Sequence, residues 1–204
     1  MKKTEKYTPL HFHKALIVFF ALLVSCNDIN TSENVHEPKA HKKSYKPRLT
    51  IIIQPFVGLP NATANIIAEQ LKAIYSGRVI VNKAIPLPYH TLNFKKNRYR
   101  ADSLIRYLGT LVKDNQLIIG LTNKDISHTK GKNPDFGIMG LGYSPGKSCV
   151  ASTFRLKGKN QLEKLFKVAI HELGHTQGLA MTKTKHCPEK TCLMRDAEGK
   201  DHLN

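Results

Sequence analysis

The stretch His171-Glu172-Leu173-Gly174-His175 concentrates the residue types that can do chemistry. Two histidines four positions apart on a helix lie on one face, one turn apart, so their imidazoles can grip a single metal ion. The glutamate beside the first of them then stands next to the ion, where a carboxylate can take a proton from bound water. Zinc suits imidazole ligands and brings the pKa of its bound water down to about 7. Nucleophile, base and Lewis acid for attack on a peptide carbonyl would then be gathered in one place. Gly178 follows three residues after His175, and a glycine there lets the chain turn sharply and bring a third ligand back. The same pentapeptide would also fit a helix that carries two surface or core histidines and no metal.

A helix must present those residues, and the spacing predicts one over about 160–177. Its apolar stripe is Leu162, Leu165, Phe166, Ala169, Ile170 and Leu173. Upstream, Leu49-Thr50-Ile51-Ile52-Ile53 is a β-branched run stopped by Pro55 and predicts a buried strand. Residues 61–76 carry Ile66, Ile67, Leu71, Ile74 and Tyr75 at helical spacing, with Gly77 as the stop. Further strands are predicted at 78–81 and 117–122. Between them a helix of about 100–114 bears Leu104, Ile105, Leu108, Leu111 and Val112. Two more strand-like runs, near 135–143 and 148–156, are separated by the turn Ser144-Pro145-Gly146. The order β-α-β-α-β-β-β-α predicts an α/β layer fold with a mixed sheet. No internal repeat is present, and residues 49–204 read as one domain.

Beyond the pentapeptide, the pattern continues as His175-Thr176-Gln177-Gly178, then His186-Cys187 and Cys192-Leu193-Met194. It resembles the archaemetzincin branch of the metzincin zinc peptidases. Similar segments lie upstream: Ile85-Pro86-Leu87-Pro88, Tyr99-Arg100-Ala101-Asp102, Leu121 to Ile126, Asp135-Phe136-Gly137 and Ser152 to Leu156. The resemblance spans roughly residues 49–194. It implies a metzincin-like zincin domain with a mixed twisted sheet, an active-site helix under a cleft edged by an antiparallel strand, and a Met-turn. It implies His171, His175 and His186 as zinc ligands, Glu172 as catalytic base, and Met194 as the apolar floor beneath the metal. Thr153, Phe154 and Arg155 would border the cleft.

Two features depart from that pattern. Where the family has its third histidine, three residues after the glycine, this chain has Met181, a thioether and a poor zinc ligand beside imidazole. His186 comes five residues later, and lengthening a loop costs little entropy. Completion of the zinc site by water or another group is the alternative. The family also holds a second, structural zinc on four cysteines. Cys187 and Cys192 match the first two, and no later Cys-x-x-Cys follows. Two thiolates seldom make a closed zinc site, so the pair is expected to form a disulfide in an exported protein rather than a second metal site. Cys149, in a strand-like run, is expected to be a small buried hydrophobe.

Export is expected from the other end of the chain. Lys2, Lys3, Lys6 and Lys14 precede a ten-residue apolar run, Ala15 to Val24, that ends Leu23-Val24-Ser25-Cys26. This resembles a bacterial lipoprotein signal: residues 1–25 would be removed and Cys26 lipidated. Residues 26–48, polar with two prolines, would be a flexible tether. Nothing approaches the ~20 apolar residues of a membrane-spanning helix.

The 204 residues carry a formal charge of +17 and are 41% hydrophobic, which excludes wholesale disorder. In an exported chain that charge suits anionic lipid or envelope polymers, and the basic residues lack the interleaved aromatics of a nucleic-acid interface. The expected function is a zinc metallopeptidase, a hydrolase acting on peptide or protein substrates and held by lipid at a bacterial envelope. The alternatives are a zinc-holding or envelope-binding lipoprotein that does not cleave, and a zinc amidase on cell-wall peptides.

Overall fold

The β-branched runs assemble side by side at the centre of the protein. A computed structural model describes residues 49–95, 97–179, 186–189 and 191–196. Strand β1 (Thr50–Pro55) pairs in parallel with β2 (Arg78–Val81) on one side and with β5 (Gln116–Thr122) on the other. Strand β9 (Ser148–Ser152) adds in parallel to β5, and the short β8 (Gly140–Gly142) closes the edge in the opposite sense. The sheet order is therefore β2-β1-β5-β9-β8, a mixed sheet as the sequence predicts.

The two-residue period of the strands sends alternate side chains to opposite faces, and both faces are covered. Ile51, Ile53, Leu117, Ile119, Cys149 and Ala151 face one way. They pack against Ile67 and Leu71 of α1 (Asn61–Ile74) and Leu165, Ala169 and Leu173 of α3 (Gln161–Thr176). Ile52, Ile118 and Val150 face the other way, onto Leu104, Ile105 and Leu108 of α2 (Ala101–Thr110). A second sheet lies beside this one, in the order β3-β4-β6-β7: Leu92–Asn93, Arg98–Arg100, Ile126–Lys130 and Asn133–Ile138.

Several expectations need correction. The run near 135–143 is not one strand: it breaks at Met139 into β7 of the second sheet and β8 of the first. The run near 148–156 leaves the sheet after Ser152, and Pro55 is the last residue of β1 rather than its stop. Strands β3, β4 and β6 are absent from the predicted order because they are short and polar and show no apolar period. Ile66, Ile74, Leu111 and Leu162 are exposed rather than core. In α1 the buried stripe runs through Ala64, Ile67, Ala68 and Leu71, which leaves Ile66 off the face.

Buried carboxylates tie the second sheet in. Asp125, at the foot of β6, accepts hydrogen bonds from Arg98 Nε of β4 (2.7 Å) and from Arg155 Nε and Nη2 beyond β9 (2.8 and 2.9 Å). Asp135 of β7 takes Arg98 Nη1 at 3.1 Å and the Ser127 hydroxyl at 2.6 Å. Its carboxyl loses solvation on burial, but the hydrogen bonds from Ser127 and Asn93 and the Arg98 charge outweigh that and hold its pKa below the ordinary value.

Candidate metal centre

Helix α3 is pinned to the sheet by Leu165, Val168, Ala169 and Leu173. It ends as its sequence requires. Gly178 takes φ +75°, a conformation costly for any residue with a Cβ. Its N–H bonds the His175 carbonyl while the Leu179 N–H bonds that of Gly174, the paired bonds of a Schellman turn. The chain therefore leaves the helix sharply just past His175.

His171 and His175 lie one turn apart on α3 with their Nε2 atoms 3.1 Å apart. His186, from the segment that follows, brings its ring to 5.3 Å from that of His171 and 5.1 Å from that of His175. One ligand nitrogen from each lies within 4.8 Å of the others. His171 Nδ1 sits 2.8 Å from the Leu193 carbonyl oxygen. A carbonyl can only accept, so this nitrogen carries the proton, and the Nε2 lone pair faces the other two rings. Burial pushes the His171 pKa down, which favours the neutral ring a metal ligand must be. His186 Nδ1 lies 3.8 Å from the Asp196 carboxylate. Two imidazole nitrogens on a tetrahedral zinc, each ~2.05 Å from the ion, would be about 3.3 Å apart. The His171–His175 pair is already close to that spacing, and three neutral imidazoles are a donor set that zinc accepts.

Glu172 points away from the solvent, between α3 and the edge strand β8. It is 8% exposed, and its carboxylate accepts the Gly142 N–H. Loss of solvation outweighs that bond and pushes its pKa up to about 8. The fit is close: a Cβ on Gly140 would meet Glu172 Cγ and Oε1 at 2.7 Å, and one on Gly142 would meet the Glu172 carbonyl oxygen at 2.6 Å. Met194 is 7% exposed and packs under the same helix, where a Cβ on Gly174 would meet its Sδ at 2.5 Å. It thus lies against the backbone between the two helical histidines, as a floor. The loop that carries it closes on itself through Cys187 N–H to the Met194 carbonyl, 2.8 Å.

Cys187 and Cys192 are free thiols in side-chain contact; the Cys192 thiol's hydrogen bond to Cys187 is the main influence raising the Cys187 pKa. The expected disulfide between them is not formed here. Cys149 is fully buried in the core under the sheet. Cys26 lies outside the described residues. The antiparallel edge strand is Gly140–Gly142, whereas Thr153, Phe154 and Arg155 form the turn beyond β9.

Residues the sequence does not flag complete the site. The Leu193 carbonyl orients His171 and has no side-chain signal. Asp196, two residues after Met194, faces His186. Gly140 and Gly142 make room for Glu172, and two glycines in a strand-like run are a legible sign of close approach.

No protein-family profile matches the chain. The archaemetzincin of Archaeoglobus fulgidus is 32% identical over 150 residues, covering 72% of this chain and 84% of that protein. The crystal structure of that archaemetzincin, complexed with malonate, matches with a TM-score of 0.63 at 28% identity, covering 76% of this chain and 90% of the other. A structure described as a zinc-dependent peptidase from Methanocorpusculum labreanum shares the fold, with a TM-score of 0.61 at 21% identity over 75% of this chain and 91% of its own. With its helical histidine pair, returning third histidine and underlying methionine set in a mixed sheet of the same fold, the chain belongs to the archaemetzincin family.

Proposed function

We propose that the protein is a zinc-dependent peptidase in which His171, His175 and His186 hold one ion and Glu172 is the general base. The convergence of three imidazoles beside a buried carboxylate carries this conclusion. Zinc, when bound, supplies Lewis acidity toward the scissile carbonyl and makes water a readier nucleophile near neutral pH.

The chain's own groups do the rest. The Leu193 carbonyl fixes the His171 tautomer so that Nε2 is the ligand atom. The Asp196 carboxylate lies on the Nδ1 side of His186 and leaves Nε2 for the metal. The Gly142 N–H holds the Glu172 carboxylate in place. There Glu172 takes the proton of the attacking water and passes it to the leaving amine. Strand β8 pairs only with β9 among the described residues. Its outward-facing main-chain groups at Gly140 would let an extended peptide add to the sheet through hydrogen bonds, beside the Gly142 N–H that Glu172 holds.

Attachment to a bacterial envelope is part of the same proposal. The basic start, the apolar run and Leu23-Val24-Ser25-Cys26 support a lipid on Cys26 and a tether through residue 48. Cys26→Ser should then release the protein from membranes, and a variant that stays in the membrane fraction would contradict it.

The catalytic proposal is tested with purified protein carrying one equivalent of zinc and a diverse peptide mixture read by mass spectrometry. Wild type should cleave; Glu172→Gln should keep its zinc and lose turnover. Unchanged turnover in Glu172→Gln would refute the base. Zinc retained with no cleavage by wild type would favour a binding lipoprotein, and products from purified peptidoglycan alone would favour an amidase.

A further inference from the structure

The segment that brings His186 to the helical histidines carries much of the metal centre's support. Between residues 186 and 196 it holds His186 itself, the Leu193 carbonyl that faces His171 Nδ1 at 2.8 Å, Met194 beneath Gly174, and Asp196 facing His186. Three of its main-chain bonds are internal. The Cys187 N–H bonds the Met194 carbonyl at 2.8 Å, the Cys192 N–H that of Glu189 at 3.1 Å, and the Arg195 N–H that of Cys192 at 3.1 Å. It meets α3 through the Leu193 carbonyl and the Met194 side chain. The place of the third ligand therefore depends on how well this segment keeps its own shape.

Cys187 and Cys192 sit inside it. Cys187 adjoins His186 in sequence, and Cys192 adjoins Leu193. The two side chains are in contact and share a hydrogen bond. Both are half-buried and within reach of small reagents, whereas Cys149 is sealed in the core. A bond between them would close a ring of six residues, Cys187 through Cys192. Sulfur atoms in hydrogen-bonding contact need move only ~1.5–2 Å to reach the S–S length of a disulfide.

We infer, given the zinc centre proposed above, that Cys187 and Cys192 form a reversible dithiol–disulfide couple that sets how tightly the three histidines hold their ion, the disulfide form holding it more tightly. The oxidant is a small-molecule disulfide. One protein thiolate attacks it, forms a mixed disulfide and releases one small thiol. The second cysteine then displaces the other small thiol and closes the Cys187–Cys192 bond. Two electrons and two protons pass from the protein to the small disulfide, and a reductant reverses both steps. The sign follows from ordering. Zinc binding must fix His186 and hence its segment, and that ordering costs affinity. A disulfide removes part of the segment's freedom before the ion arrives. Loop-closure entropy for six residues sets a ceiling of ~40-fold; about tenfold is expected, because a segment already folded on itself has less freedom to lose. On the export proposed above, zinc would be held loosely in a reducing cytoplasm and tightly outside it.

The test is zinc affinity, measured by competition with a chromophoric chelator on the full chain carrying Cys26→Ser. A small-molecule disulfide sets the oxidised form and a phosphine, which contributes no thiol, the reduced form; alkylation and mass measurement verify each. The oxidised protein should bind zinc about tenfold more tightly. The double variant Cys187→Ser, Cys192→Ser should match the reduced protein under both conditions, with melting temperatures checking that it folds. By linkage, zinc should make the potential of the couple about 30 mV more negative. His186→Ala should bind zinc weakly and with no redox dependence, and a redox effect that survives it would overturn transmission through this ligand. Equal affinity in the two forms of the parent protein would overturn the coupling and leave the zinc centre standing. So would a second equivalent of zinc taken up by the reduced thiols and lost in the double variant. No zinc bound in either form would refute the zinc centre itself and the coupling with it.

Discussion

Gly140→Ala isolates the position of the Glu172 carboxylate from the metal ligands. The added methyl would stand 2.7 Å from Glu172 Cγ and Oε1 and 2.8 Å from Val168 Cγ1, against an ordinary contact of 3.4 Å or more. Something must yield by about 0.7 Å, and interiors are packed too closely to absorb that without movement. Val168 is locked in the core, and Glu172 has no solvent to escape into. The outcome is a carboxylate displaced by the better part of an ångström, or a β8 pushed off α3. Overpacking of this kind costs about 1–3 kcal/mol, or roughly 3–10 °C in melting temperature at this chain length. Misplacing a catalytic group by ~1 Å costs on the order of 10²-fold in rate. The assay compares kcat/KM on the best peptide, zinc stoichiometry and melting temperature, with Gly158→Ala as the control. Gly158 has φ +75° and nothing within 4 Å of an added Cβ, so that variant should lose stability but keep its rate. The expected result for Gly140→Ala is full zinc with activity down about a hundredfold. A folded Gly140→Ala protein with kcat/KM within twofold of wild type would refute the assigned place of Glu172 in the mechanism.

Further outcomes follow from the same structure. Asp125→Asn removes a buried charge that two arginines share. Since the arginine side chains are themselves about 30% exposed, the loss should be about 2–3 kcal/mol, seen as a lower urea midpoint at unchanged slope; an unshifted midpoint would show that the network does not tie the sheets together. The Asp135 pKa is held below its ordinary value, so its contribution is present above the unfolded carboxylate range and is lost as pH falls below about 4. Asp135→Asn should flatten the acid side of the stability profile, and an identical acid limb would contradict the assignment. The neighbouring thiols of Cys187 and Cys192 should oxidise to a disulfide in an exported protein; alkylation of both in material isolated without reductant would count against it.

The active-site helix is legible in the sequence because its apolar stripe, its glycine stop and its ligand pair all demand the same period. Strands β1, β2 and β5 are legible for a similar reason, being apolar runs rich in Ile, Val and Leu of a kind that a doubly covered sheet can bury. The second sheet is not. Arg98–Arg100 is held by ion pairs from Arg98 to Asp125 and Asp135, partners 27 and 37 residues away, and Ile126–Lys130 offers the core only Ile126 and binds Asp135 through the Ser127 hydroxyl. The edge strand is hidden differently: Gly140–Gly142 continues without a turn signal from β7, and the break at Met139 reflects which sheet has a free edge. Within the candidate site, His171, Glu172 and His175 are readable from type and spacing, whereas His186 and Met194 are readable only through the resemblance to archaemetzincins. The groups that orient them are a backbone carbonyl at Leu193, a backbone N–H at Gly142 and a carboxylate at Asp196 across a turn. None has a spacing that a linear sequence would single out.

X-ray absorption at the zinc edge, on protein carrying one equivalent of zinc, tests the central claim most directly, with His186→Ala beside wild type. Wild type should show nitrogen and oxygen scatterers alone at about 2.0–2.1 Å, with the multiple scattering of three imidazoles, and His186→Ala should show two. A sulfur scatterer at about 2.3 Å, or the same three imidazoles in His186→Ala, would contradict a zinc centre built from His171, His175 and His186.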